Sequence, residues 1–300
     1  MPADMPQISE VSESYPAVVD WPGIGMVVAS TLGFSTSIIF TRLIFGMEAL
    51  HITFFRSLFA FLFFCFLLPW HPETLKFSTY RGAIKYLIGL GISVAATCVL
   101  YIYALRHTTA ANSVLLNNSA AVYVVLVAPW LLKEVRPRYA WLSLLLAVVG
   151  IVCVTDPAQM DWHSGSFSGI VAATLSGITY AGVIVSGRLI RGQVGGATQA
   201  WWSTGITALL SAPWLFGVTL ESVSPNLFFL LGLGIIALGL PYMIFFIGLQ
   251  RVSAQVASFA VLLEPVCGVL IGLFLFQEIP SVLGVFGIFM ILGSIFLISQ

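Results

Sequence analysis

Long apolar runs, interrupted at intervals by charge, proline or glycine, dominate the chain. Ten of them approach the ~20 residues that an α-helix needs to cross a hydrocarbon core. They cover residues 22–43, 50–69, 83–104, 110–131, 138–155, 167–189, 197–218, 227–248, 254–276 and 281–299, and are numbered here as spans 1 to 10. The runs are continuous, not the ~10-residue alternating segments of a transmembrane barrel. The pattern predicts helices.

Composition sharpens this picture. The chain is 300 residues long, 59% hydrophobic and only 8% charged, against ~25% charged in a soluble domain. So few charges cannot cover a water-facing surface, and the chain reads as an all-α integral membrane protein. Its 12 basic and 12 acidic residues cancel, and no basic run points to a nucleic-acid partner. The lipid bilayer and a small-molecule substrate are the expected partners, with the chain a monomer or weak homodimer. Cys65, Cys98, Cys153 and Cys267 sit in apolar stretches without a C-x-x-C spacing. They read as buried thiols, and no metal site is expected. No cofactor is expected either, because no G-x-x-x-x-G-K-[ST] phosphate loop is present.

The sparse charges also predict orientation. With the N-terminus inside, Lys76, Arg81, Lys85, Lys133, Arg136, Arg138, Arg188, Arg191 and Arg251 lie on the cytoplasmic side, and only Arg42, Arg56 and Arg106 lie outside. That bias favours both termini in the cytoplasm. The first twenty residues contain Asp4, Glu10, Glu13 and Asp20 but no Lys or Arg. They lack the positive start of a secretory signal, so residues 1–21 read as a short cytoplasmic tail.

Shifting the chain by 144 residues aligns its halves. Gly25 falls on Gly169, Ala29 on Ala173, Gly33 on Gly177, Leu105 on Leu249, Ala110 on Ala254 and Glu134 on Glu278. Arg42-Leu43-Ile44 matches Arg188-Leu189-Ile190 after two further residues, and Gly150 matches Gly293 after one fewer. Residues 22–155 and 167–300 would then be two repeats of five spans, joined by an outer connection at 156–166. An odd number of spans turns the second repeat upside down. Ten transmembrane helices as two inverted five-helix repeats is the architecture of secondary transporters, with a site near the midplane.

These residues resemble the ten-helix type of the drug/metabolite transporter superfamily, built of two EamA domains. The resemblance covers residues 22–299. It rests on Phe40-Thr41-Arg42, Arg56, Tyr103-Ala104-Leu105, Thr108-Thr109-Ala110-Ala111 and Glu134 in the first half. In the second half it rests on Gly248-Leu249, Ser253 to Ala257, Leu263-Glu264-Pro265-Val266, Glu278 and Gly293. The first half departs from the pattern at Ala120-Ala121, where a residue-Pro pair is expected. The resemblance implies a centre of spans 3, 4, 8 and 9, flanked by 1, 2, 6 and 7, with 5 and 10 peripheral. It implies small metabolites as cargo, a bacterial cytoplasmic membrane, and a weaker likeness to aromatic and neutral amino-acid exporters.

Candidate site residues follow from polarity inside spans. Glu264 is the only acidic residue deep in a span, where a carboxylate suggests binding or proton coupling. Glu264-Pro265 also reads as a structural break, since proline fits a helix start. Asn117, Asn118 and Ser119 place amides and a hydroxyl mid-span, for a zwitterion or as interhelical glue. Ser93, Thr97 and Tyr101 recur every four residues on one face of span 3. Ser176 with Tyr180, and Ser30 with Phe34, do the same on spans 6 and 1. Tyr242 joins Tyr180 as a mid-span tyrosine. Pro241, Pro265, Gly268 and Gly272 are candidates for gating or packing. Arg56 and Lys85 sit near span ends and snorkel, or Arg56 meets a substrate carboxylate at the outer mouth. By this count the central cavity has no fixed positive charge and suits a net-neutral solute.

The expected function is export of small neutral metabolites, amino acids including aromatic ones, by alternating access. A multidrug or lipophilic-cation exporter of the same superfamily is the alternative within transport. An intramembrane serine protease using Ser93 or Ser35 is the alternative of another class. It lacks a base in reach, since His51, His71, His107 and His163 lie in connections or at span edges. The chain is therefore not expected to be an enzyme.

Overall fold

The computed structural model describes residues 20–108, 113, 116–155, 167–277, 279 and 281–300. Glu278, the 156–166 connection and nearly all of the N-terminal tail lie outside the described residues. Among those described, every regular element is a helix. Six are long and apolar enough to cross a membrane: Trp21–Leu43, Ala49–Trp70, Arg81–Ala104, Phe167–Leu189, Leu220–Leu249 and Ala254–Leu275. Shorter apolar helices at Leu116–Leu131, Ala140–Val154 and Val282–Ile298 supply spans 4, 5 and 10. Span 7 is Gly196–Ser211, which buries Thr198, Gln199, Ser203, Thr204, Thr207 and Ser211. The Ser203, Thr204, Thr207 and Ser211 hydroxyls donate to carbonyls one turn back in their own helix, so those four hydroxyls are satisfied where they lie. This is an all-helical multi-pass membrane fold.

Three spans depart from continuous helices. Span 1 is Trp21–Ser35 followed by Ser37–Leu43, broken at Thr36, whose hydroxyl and N–H both donate to the Gly33 carbonyl. A hydroxyl competing for backbone bonds in this way weakens the helical ladder. Span 8 joins Leu227–Gly234 to Leu240–Leu249 through a π-helical turn at Ile235–Gly239. Pro241 is the second residue after this turn and has no N–H to return to it; inserting a wider turn is one way a helix absorbs that loss. Span 9 breaks at Leu262 between Ala254–Val261 and Leu263–Phe276, and Pro265 occupies the first turn of the second piece, where its missing N–H is harmless. Span 7 is shorter than the 197–218 expected, because Pro213 lies in a 3-10 turn at Ala212–Leu215 that ends the helix.

The halves pack across each other. Span 1 lies on the Leu240–Leu249 part of span 8, span 6 on span 3, span 2 on span 7, and span 5 on span 10. Gly33 sits at the crossing of spans 1 and 8, and Gly177, its partner in the repeat, at the crossing of span 6 with span 4. A Cβ at 33 would lie 2.5 Å from Pro241 Cγ, and one at 177 would collide with the Leu116 carbonyl oxygen. Gly150 and Gly287 bring spans 5 and 10 into backbone contact, each Cβ position falling within 3 Å of the other's carbonyl oxygen. Asp20 caps span 1 by accepting the Gly23 N–H at 2.8 Å and pairs with Arg251 at 3.2 Å. The Gly23 N–H and, secondarily, the Arg251 guanidinium hold its carboxyl below the ordinary aspartate value.

Candidate functional site

The break in span 1, the π turn of span 8 and the break in span 9 all border one cavity of about 80 Å³. It is lined by Phe34 and Ser37 of span 1, Arg56 of span 2, and Thr97, Cys98 and Tyr101 of span 3. Asn117 of span 4, Tyr180 of span 6, Ala237, Leu238 and Tyr242 of span 8, and Glu264 of span 9 complete it. Irregular backbone at membrane depth is tolerated where it is buried in protein or lines a cavity.

Local structure aims these side chains. Thr97 and Tyr101 lie one turn apart on span 3, and the Thr97 hydroxyl bonds the Ser93 carbonyl at 2.7 Å and the Thr179 hydroxyl at 2.8 Å. Asn117 accepts the Ser176 hydroxyl at 3.1 Å, tying span 4 to span 6 beside Tyr180. Phe34 meets Tyr242 edge-on with ring centroids 5.1 Å apart, and Tyr242 stacks on Phe246 at 5.4 Å. These offset and edge-to-face geometries are the favourable ones for ring pairs, and they fix the aromatic wall. Arg56 Nη2 lies 3.7 Å from Cys98 Sγ, while Arg56 Nε is buried without an acceptor among the described residues.

Of the residues singled out from the sequence, Phe34, Thr97, Tyr101, Asn117, Tyr180, Tyr242 and Glu264 meet in this cavity. Ser93, Asn118 and Ser119 do not line it. Ser93 packs against Gly182, Asn118 is buried, and the Ser119 hydroxyl donates back to Leu116. Successive helical residues turn by ~100°, so three in a row cannot share a face. Pro241 packs on Gly33, and Gly268 faces Ile38. Gly272 is buried, and its carbonyl accepts the Gln277 N–H that ends the helix.

Arg56 is the main correction. It stands well inside Ala49–Leu67 and lines the cavity, so the cavity does contain a fixed positive charge. Its place seven residues into the helix reads as a span end when only sequence distance is counted. A usable signal was the small, buried stripe of Thr53, Ser57 and Ala60, which marks the inward face on which Arg56 borders. Cys98, Ala237 and Leu238 were also not anticipated, the last two because the π turn has no sequence pattern of its own.

A second polar cluster ties the ends of spans 4, 6, 8 and 9. Arg188 Nε donates to Glu134 at 2.7 Å, and Arg188 Nη1 donates to the carbonyls of Leu249 and Gln250, each at 2.9 Å. The other Glu134 oxygen accepts the Ala254 N–H at 2.9 Å. Gln255, beside it, is fully buried, with neither amide atom partnered among the described residues.

Residues 21–156 and 167–300 each match the EamA-like transporter family. The chain is 26% identical over 279 residues to a protein named as an uncharacterized transporter of Archaeoglobus fulgidus, spanning 91% of this chain and 94% of that one. It is 23% identical over 281 residues to the uncharacterized transporter YxxF of Bacillus subtilis, spanning 90% and 86%. A solved crystal structure shares the fold with a TM-score of 0.75 at 18% identity, covering 92% of this chain and 96% of that one. Two family matches account for nearly the whole length, and the helices of both matched segments enclose one central cavity. The chain belongs to the EamA-like transporter family.

Proposed function

We propose that this transporter exports small net-neutral metabolites, amino acids including aromatic ones, from the cytoplasm by alternating access. The observation that carries this reading is the make-up of the cavity. One guanidinium and one carboxylate cancel in charge, while Phe34, Tyr101, Tyr180 and Tyr242 supply apolar and hydroxyl-bearing walls. A zwitterion with an aromatic side chain matches both halves of that chemistry. Helices of both repeats contribute walls, as expected of a site about which two halves rock. A volume of about 80 Å³ is below the ~300 Å³ at which ligand pockets begin, so a solute is admitted only as the spans part.

With both termini cytoplasmic, in the plasma membrane of a bacterial cell, the Glu134–Arg188 cluster closes the inner end and the cavity lies toward the outer half. The cavity is complete within one chain, which supports a functional unit that needs no second copy. Its lining includes no histidine, and the Ser35 hydroxyl donates to the Thr31 carbonyl of its own helix. Both weigh against a hydrolytic serine. Export is tested by preloading cells with labelled phenylalanine and following its loss with and without the expressed chain. Faster loss is expected, and equal loss for every neutral amino acid tried contradicts the reading.

A further inference from the structure

We infer that Arg56 and Glu264 read the two ends of a zwitterion separately: Arg56 receives the substrate carboxylate and Glu264 its ammonium group. This rests on the cavity being the transport site and adds how the solute is oriented and selected.

The contrast between two buried arginines carries the argument. Arg188 is satisfied by the protein, with Glu134 and two backbone carbonyls as acceptors. Arg56 is not. Among the described residues its one hydrogen-bond partner is the Cys98 thiol at 3.7 Å, a weak acceptor, and its buried Nε has none. A guanidinium does not shed its proton to escape this, and its planar fork matches a carboxylate in bidentate fashion. Glu264 lines the same cavity. Neither residue forms an ion pair with the other or with any other described residue. Opposite charges that share a cavity without closing on each other leave room for a dipolar solute between them. Phe34 and Tyr242 then face its side chain.

Selectivity follows. A lipophilic amine satisfies Glu264 but leaves Arg56 unpaired, with a like charge added to the cavity. Arg56 is thus the group that separates amino acids from amines of the same side chain, because a site built to bond a polar group rejects analogues that lack it.

The test compares phenylalanine with phenethylamine, which differs by the missing carboxylate, in proteoliposomes holding the full chain. Wild type is expected to carry phenylalanine and exclude phenethylamine. Arg56→Gln is expected to lose phenylalanine uptake by at least roughly 100-fold and to gain phenethylamine uptake, while Arg56→Lys keeps part of the phenylalanine activity. Phenylalanine uptake unchanged in Arg56→Gln overturns the assignment and leaves amino-acid transport standing. Equal loss of phenylalanine uptake in Arg56→Gln and Arg56→Lys, with no gain of phenethylamine uptake and each eluting as a monodisperse peak, makes Arg56 structural and also overturns it. Wild type that carries phenethylamine and no amino acid overturns the underlying reading together with this one.

Discussion

Arg188 and Glu134 form an ion pair at 2.7 Å with both side chains almost wholly buried. The pair joins span 6 to the end of span 4, and through Leu249, Gln250 and Ala254 it reaches spans 8 and 9. Burying two charges is unfavourable unless every donor and acceptor is matched, and here four side-chain and three backbone atoms are engaged across four spans. Removing one partner strands the other. Glu134→Met or Arg188→Met is expected to destabilise the chain by about 3–5 kcal/mol, read as a lower Tm in detergent. The double variant Glu134→Met/Arg188→Met recovers most of that loss. Additive losses would show that the two residues act independently.

Gln255 sits in the same region, fully buried, with its amide nitrogen and oxygen both unpartnered among the described residues. An unmatched buried amide costs about 1–3 kcal/mol, a cost relieved if this end opens to water during transport. Gln255→Met is therefore expected to raise Tm and to slow turnover, by favouring the state described here. The check is thermal unfolding beside initial uptake rates. Faster uptake, or a lower Tm, would contradict this role.

The crossing of spans 1 and 8 leaves no room for a methyl group at Gly33, since its Cβ would stand 2.5 Å from Pro241 Cγ. Gly33→Ala is expected to cost about 1–3 kcal/mol by overpacking. Pro241→Ala removes the obstructing ring carbon, so the double variant Gly33→Ala/Pro241→Ala is expected to be less destabilised than the sum of the two single changes. A double-mutant cycle on Tm in one detergent measures this coupling. Strict additivity would place the conflict elsewhere.

The ten spans were legible because membrane helices are announced by long uncharged runs, and the repeat by its nearly constant offset. The inward faces of spans 3 and 6 were legible from four-residue spacing, which brought Thr97, Tyr101 and Tyr180 to the cavity. Depth was not legible for Arg56. Sequence distance from the start of a span does not show that a neighbouring span breaks at Thr36 and that the cavity reaches toward it. The π turn of span 8 was hidden for a related reason: Pro241 signals a disturbed ladder but not whether the helix kinks, ends or widens.

The central claim, a cavity shared by the two halves and built for a net-neutral zwitterion, is tested most directly by counterflow in proteoliposomes. Vesicles loaded with unlabelled phenylalanine and diluted into labelled phenylalanine are expected to accumulate label transiently. That accumulation should be inhibited by other neutral amino acids and abolished in Arg56→Gln. No accumulation with any neutral amino acid, alongside clear exchange of a lipophilic cation, would contradict the account.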